Sequence, residues 1–406
     1  MLLEAGLKKD DDNKSARRWS AGITGSTTYV SYEDWLKRLG IGLFSFWVVF
    51  ALFYLTASSS SPATALDELT GDAAAAAALG NSNKVKSTVE NAFPDETNFI
   101  VIGDYGTGSA DQVKTADALK HFATTLDPRP AFVISTGDQI YEHGISSSSD
   151  PMLKERFEKL FGGVLCVDDA QMYDHPDLNV PWYITIGNHD CEGSIDAMLE
   201  YAGQKNSMWY FPRRYYTIDR PVAPKTILRM VVVDACDLVC GHEPRNFRCN
   251  NAMNEQTSEA TRVEQYRWIE EMLSAGKPAG VDHMWTIVVG HWAVYSYAGN
   301  AHTKELIDSL DPLLKKHKVH AYFNGHDHCM QHIKKREDSW DRNYFVSGAG
   351  GYRVHTLVPK ARASSDLVHA AMTHGFMWVK VTKTQFQVQF IEKTGEVLYT
   401  TEVQYA

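Results

Sequence analysis

Hydrophobic and polar positions alternate in three different ways along this chain. From residue 98 onward, short β-branched and apolar runs recur: FIVI (99–102), AFVIST (131–136), VPWYITI (180–186), ILRMVVV (227–233), MWTIVV (284–289), HAYF (320–323) and NYFVSG (343–348). Between them lie segments of helical period around 112–125, 152–160, 262–273 and 303–316. Runs apolar at every position belong to strands covered on both faces, so alternation with helices predicts α/β sheets flanked by helices. Near the end, FQVQFIEKTGEVLYTTEV changes to period two around Lys393-Thr394-Gly395, which predicts an antiparallel hairpin and hence mixed sheets.

The second pattern is one uncharged run, LGIGLFSFWVVFALFYLTA (39–57), long enough for a bilayer-spanning helix. Lys37 and Arg38 abut its N-terminal side with Arg17, Arg18, Lys8 and Lys9 behind them, and the first charges after it are Asp67, Glu68 and Asp72. The positive-inside rule then expects a single-pass anchor with a cytosolic N-terminus and the rest of the chain lumenal or extracellular. A cleaved signal with a small-residue site at Ala63-Thr64-Ala65 is the alternative and would yield a secreted protein. The third pattern is weak or absent periodicity. It covers a mixed-charge tail (1–38), read as disordered, and a Ser/Ala-rich stalk (58–94), leaving a catalytic domain over 95–406.

Forty Lys plus Arg against 50 Asp plus Glu leave a formal charge of −10, which removes any expectation of sequence-independent affinity for nucleic acid. An acidic protein acting on anions must concentrate positive charge locally, and metal ions are one means. Six cysteines admit fifteen pairings. Cys236, Cys240 and Cys249 lack the C-x-x-C spacing of a zinc knuckle and are read as structural or disulfide-forming.

The chemistry lies where the strands end. Five of the apolar runs deliver Gly103-Asp104, Gly137-Asp138, Gly187-Asn188-His189, Gly290-His291 and Gly325-His326-Asp327-His328. Ligands of α/β sheets gather outside the carboxyl ends of strands, where glycine permits sharp turns and close approach. Singly, each such residue reads as a cap or turn residue. Together they predict a metal crevice holding Asp104, Asp138, Tyr141, Asn188, His291, His326 and His328. Seven donors exceed what one ion takes. Two ions about 3.5 to 4 Å apart, bridged by Asp138, would use them all. The glycine-rich stretch 103–108 lacks the Lys-Ser/Thr of a nucleotide P-loop.

GDYG (103–106), GDQIY (137–141), GNHD (187–190), GH (290–291) and GHDH (325–328) resemble the motifs of the metallophosphoesterases, and Tyr141 narrows the resemblance to the purple acid phosphatases. Similarity to their small, mammalian-type tartrate-resistant branch extends over nearly all of 97–404. The resemblance implies a four-layer α/β/β/α sandwich of two mixed sheets with a dinuclear site at one edge. It implies ferric iron bound by Asp104, Asp138, Tyr141 and His328, and a divalent ion, Fe(II), Zn or Mn, bound by Asp138, Asn188, His291 and His326. His189 would touch the substrate phosphate or the leaving group. A phenolate ligand suits a hard trivalent ion, because tyrosine ordinarily loses its proton only near pH 10. Two carboxylates and a phenolate would offset part of the combined metal charge and leave enough for hydroxide and phosphate.

The expected activity is acid hydrolysis of phosphomonoesters, small molecules or phosphoproteins, by a hydroxide activated at this Fe(III)–M(II) centre. Alternatives are a phosphodiesterase or phosphoprotein phosphatase with two divalent ions, a di-iron protein generating reactive oxygen species, and a non-catalytic membrane receptor. Two features depart from the family pattern. The second outer histidine expected nine residues after His291 is Asn300, with His302 two residues further on as a candidate substitute, and the Pro expected after the ligand histidine is replaced by Trp292-Ala293. The polar segment 241–261 matches a loop that covers the site in relatives and reads as an exposed loop; 352–373 is the candidate specificity loop. His121, His175, His320 and His332 belong to no constellation and read as surface or core residues.

Overall fold

The fully apolar runs form the middle strands of two seven-stranded sheets. In the computed structural model the described residues are 94–162, 178–205, 207–337 and 339–405. The tail, the apolar run 39–57 and all of the stalk but Pro94 lie outside them, as do Cys166 and His175. Among the described residues no helix is long and apolar enough to cross a membrane.

The strands are β1 (Thr97–Ile102), β2 (Val133–Ser135), β3 (Trp182–Ile184), β4 (Trp209–Tyr210), β5 (Tyr216–Ala223), β6 (Thr226–Val232), β7 (His283–Val289), β8 (Ala321–Asn324), β9 (Met330–Arg336), β10 (Asp341–Ser347), β11 (Leu367–Ala371), β12 (Gly375–Val381), β13 (Phe386–Glu392) and β14 (Val397–Val403). One sheet runs β14-β13-β12-β1-β2-β3-β4 and the other β11-β9-β10-β8-β7-β6-β5. Both are mixed. β1, β2, β3 and β4 are parallel, as are β6, β7, β8 and β10, whereas β12–β14, β9, β11 and β5 join antiparallel.

Aromatic side chains of the inner faces interlock between the sheets: Trp285 against Phe386 at 5.4 Å, Phe345 against Phe390 at 6.5 Å and His332 against Tyr399 at 5.9 Å. Each fully buried aromatic removes enough apolar surface to contribute about 1.5–3 kcal/mol. On the outer face of the first sheet lies α1 (Ala110–Thr124), capped by Ser109, with Phe122 edge-on to Phe376 and Trp378 of β12. The second sheet carries α6 (Glu259–Ser274) and the pair α7 (Lys304–Ser309) and α8 (Asp311–Lys316). Asp311 accepts from Arg342 at 2.7 Å and from Tyr295 at 3.0 Å, so that an ion pair fastens this layer to β10. The result is the expected four-layer arrangement. Shorter helices α2 (Asn188–Glu192), α3 (Ile195–Ala202), α4 (Ala235–Cys240) and α5 (Asn251–Glu255) follow the strand ends that build the site.

The helical period over 303–316 is split into α7 and α8 at Leu310, because Pro312 lacks the amide that would continue the first helix. The 352–373 segment is more ordered than its loop reading, since 367–371 pair with β9 as the edge strand β11.

Candidate metal centre

Parallel register aligns the carboxyl ends of the central strands. Ile102 pairs with Ser135 and Ser135 with Ile184 in one sheet, while Val289 pairs with Phe323 in the other. The loops leaving these ends meet at one rim, where the Asp104 amide donates to the Gly137 carbonyl at 2.9 Å and the Gly325 amide to the His291 carbonyl at 3.1 Å. Asp104 (φ 58°), Asp138 (φ 55°) and His326 (φ 68°) all hold left-handed backbone, a conformation that non-glycine residues adopt at a cost and that concentrates at functional sites. Their neighbours must be glycine for want of space. A Cβ on Gly187 would stand 2.1 Å from Asp138 Oδ1, and one on Gly325 would stand 2.2 Å from Asp104 Oδ2.

The side chains converge. Asp104, Asp138 and His291, all buried, offer ligand atoms within 4.8 Å of one another. Tyr141 donates its hydroxyl to Asp138 Oδ2 at 2.9 Å and Asp104 Oδ1 at 3.1 Å. Asn188 Oδ1 lies 3.0 Å from His291 Nε2 and 2.8 Å from His326 Nδ1. His291 Nδ1 lies 2.8 Å from the Thr136 carbonyl, and His328 Nδ1 lies 3.0 Å from the Arg353 carbonyl. A carbonyl can only accept, so each Nδ1 carries the proton and each Nε2 presents a lone pair. Those lone pairs aim at acceptors: His291 Nε2 at Asp138 Oδ2, 3.4 Å away, and His328 Nε2 at Asp104 Oδ1, also 3.4 Å away.

Acceptors facing acceptors in a buried site require positive charge between them, as extra protons or as cations. Burial opposes charging the His291 ring, yet Asp138 and Asp104 outweigh it and push the ring up to about 9. Burial would raise the Asp138 carboxyl, but the charges of His291, His189 and His326 hold it well below the ordinary carboxylate range. The Tyr141 hydroxyl is pushed up by burial and then by the two carboxylates, so a phenolate here needs a strong cation beside it. Oxygen-rich donors on one side and imidazole-rich donors on the other fit a pair of transition-metal ions.

A family model for the calcineurin-like phosphoesterases matches residues 97–330. The chain belongs to that family. The phosphoesterase is 30% identical over 330 residues to purple acid phosphatase 17 of Arabidopsis thaliana, covering 79% of this chain and 88% of that one. It is 29% identical over 315 residues to tartrate-resistant acid phosphatase type 5 of Sus scrofa, covering 75% and 86%. Among solved structures it shares its fold with GAP50, the anchor in the inner membrane complex of Plasmodium, at a TM-score of 0.63 and 20% identity over 77% of this chain and 90% of that one. The phosphoesterase is thus of the purple acid phosphatase type, a class that works with a dinuclear metal centre.

All seven expected ligands of the phosphoesterase meet at the rim. His189 joins them at the mouth, its ring 4.5 Å from that of Tyr141, its amide donating to Asp138 Oδ1 at 2.9 Å and its Nδ1 on the Glu142 carbonyl. His302 is not brought into this group. Its ring packs edge-on against Tyr295 and Tyr297, and its Nδ1 accepts from the Ser296 amide at 3.1 Å. His302 directly follows the left-handed Ala301 and leads through Thr303 into α7.

Several contributors escaped the sequence reading. Asp190 accepts from the amides of Asp138 (2.8 Å), Gly187 (2.9 Å) and Gln139 (3.0 Å) and from Gln139 Nε2 (2.8 Å), locking the loop after β2 to that after β3. Its place in GNHD was visible, but its role depends on amides from another strand. Trp292, noted only as a replacement for Pro, stacks on His326 at 4.6 Å. His355 stacks on His328 at 4.1 Å and lies 2.9 Å from Asp327 Oδ1, and no local pattern marked it. Of the cysteines, Cys191 pairs with Cys236 and Cys240 with Cys249, while Cys329 is free and buried. His320 and His332 are core residues, as one of the two readings held.

Proposed function

We propose that this phosphoesterase is an acid phosphatase that hydrolyses phosphomonoesters with Fe(III) and a second, divalent ion, Fe(II), Zn or Mn. Asp104, Asp138, Tyr141 and His328 would hold the ferric ion, and Asp138, Asn188, His291 and His326 the divalent one. When bound, the pair supplies Lewis acidity and the positive charge that an acidic protein otherwise lacks toward phosphate. The observation that carries this reading is the aim of two Nε2 lone pairs at carboxylates that also receive a buried phenol.

The chain's own groups have distinct tasks. Thr136 and Arg353 fix the tautomers of His291 and His328 through their carbonyls. Tyr141 surrenders its proton only to a strong field, which favours a trivalent ion. His189 has Nδ1 engaged by Glu142, so its other ring nitrogen is the one available to phosphate or the departing alcohol. With His302 packed on Tyr295 and Tyr297 and its Nδ1 taken by the Ser296 amide, proton delivery to that alcohol falls to His189 or to water.

The test is metal content and an optical spectrum of the purified protein, together with p-nitrophenyl phosphate hydrolysis from pH 4 to 8. Iron, a phenolate-to-iron absorption band and an acid optimum are expected. A colourless, iron-free and fully active protein would replace the ferric centre by two divalent ions, and faster hydrolysis of bis-p-nitrophenyl phosphate or of a phosphoprotein than of this monoester would establish the alternative substrates. Peroxide consumption without any ester hydrolysis would establish redox chemistry instead.

We further infer from the apolar run 39–57 that the protein is anchored by one helix, with 1–38 cytosolic, 58–94 as a stalk and 95–406 lumenal or extracellular. Two disulfides near the site support an oxidising compartment. Alkaline carbonate extraction and protease protection test the arrangement, and recovery of a soluble chain beginning after Ala65 would replace it with secretion.

A further inference from the structure

Two disulfides in series tie an exposed loop to the metal pocket. Cys191–Cys236 joins α2, which carries Asn188 and His189, to α4, and Cys240–Cys249 joins the end of α4 to the far end of the loop. The loop is held on its other side by Asn246 Nδ2, which donates to Glu305 at 2.8 Å. On it Phe247 is 90% exposed, the most exposed large hydrophobic side chain among the described residues. The Arg248 guanidinium lies 5.4 Å over the Phe247 ring, and its Nη2 donates to the Asn300 carbonyl at 2.6 Å. Asn300 in turn donates Nδ2 to the His326 carbonyl at 2.6 Å and its amide to Asp327 at 2.7 Å. Two hydrogen bonds thus link Arg248 through Asn300 to the backbone of His326. Among the described residues no carboxylate pairs with it, although the chain as a whole is acidic.

A guanidinium held in place with most of its five donors unused is a site for an anion. An aromatic ring left in water beside it is a face for an apolar group. We propose that the stapled loop is the leaving-group subsite, where Arg248 binds a second anionic group carried by the substrate beyond its scissile phosphate and Phe247 packs on the apolar part between them. This rests on the phosphoesterase reading and names its substrate class: phosphomonoesters whose leaving group bears a further negative charge.

The test is calorimetric binding of two inert probes, (4-carboxybenzyl)phosphonate and benzylphosphonate, to the metal-loaded full chain. The charged probe is expected to bind about tenfold more tightly, the value of one good charge-assisted contact. Arg248→Gln should bring the ratio close to one with metal content and melting temperature unchanged, and raised salt should narrow it in the native protein. Phe247→Ala should weaken both probes together and leave their ratio. Equal affinities in the native protein, binding of neither probe, or a ratio that survives Arg248→Gln would overturn the subsite. The same preference should appear in kcat/KM for 4-carboxyphenyl phosphate against phenyl phosphate. Binding with the expected preference but no turnover of either ester would refute the phosphatase and keep the subsite, whereas turnover without preference would refute the subsite alone.

Discussion

Asp138 touches Tyr141 and His291 through one oxygen and the His189 amide through the other. Asp138→Asn removes the charge at the point the two proposed metal sets would share, so it should lose both ions and activity together; full turnover by this variant would exclude a bridging role. Tyr141→Phe should keep the fold and abolish the visible absorption band, which an optical spectrum reads directly. Asp190 is a different kind of residue. Every partner it has is a donor, and burial, then the Asp138 charge, push its carboxyl up to about 7. Asp190→Asn would set an amide NH2 against donors and should weaken metal retention by about 10–100-fold, measured by titration with a chelator.

At the scale of elements, α2 is only five residues long and carries Asn188, His189 and Asp190. Nothing in its own helicity can hold so short a helix. The Cys191–Cys236 link and the acceptance of Gln256 by the Cys191 and Gly193 carbonyls hold it instead. Replacing both cysteines by serine should cost about 2–5 kcal/mol in denaturant unfolding and release metal at lower chelator concentrations. An unchanged unfolding midpoint would show that packing alone seats α2. The central strands were legible in the chain because burial on both faces writes itself as unbroken apolar runs, and their glycine-terminated ends revealed the donors. At the margins the hairpin β13–β14 was legible from its period of two, whereas β5 and β9 were not. β5 contains Pro221, tolerated only at a sheet edge, and β9 reads MQHIKKR, whose buried Gln331 and His332 find their partners on Ser296, Tyr297, Asn343 and Tyr399.

For the molecule as a whole, the sheet interface sets an acid limit. Burial lowers His332, against the help of Asn343, and His320, against that of Thr286, to about 4 each. Both rings fold in neutral and protonate in the unfolded chain near 6.5, so their burden is absent above about pH 6.5 and grows as pH falls toward 4. At the lower end each costs on the order of 3 kcal/mol. Melting temperatures should therefore fall between pH 6.5 and 4, and His332→Gln should flatten that slope; a variant with the native slope would remove His332 from the account. An enzyme proposed to work in acid thus operates on the declining side of its own stability curve.

What the sequence determined by itself is set by short-range physics. Strand cores, their glycine ends and the types of seven donors follow from burial and backbone sterics within a few residues, and so they could be read without a fold. What the tertiary structure alone decided needs two distant segments in one place: the pairing of Cys191 with Cys236, the tautomers set by Thr136 and Arg353, and the position of Arg248 beside Asn300. Those depend on register between strands far apart in the chain, and no local pattern encodes which loop will meet which.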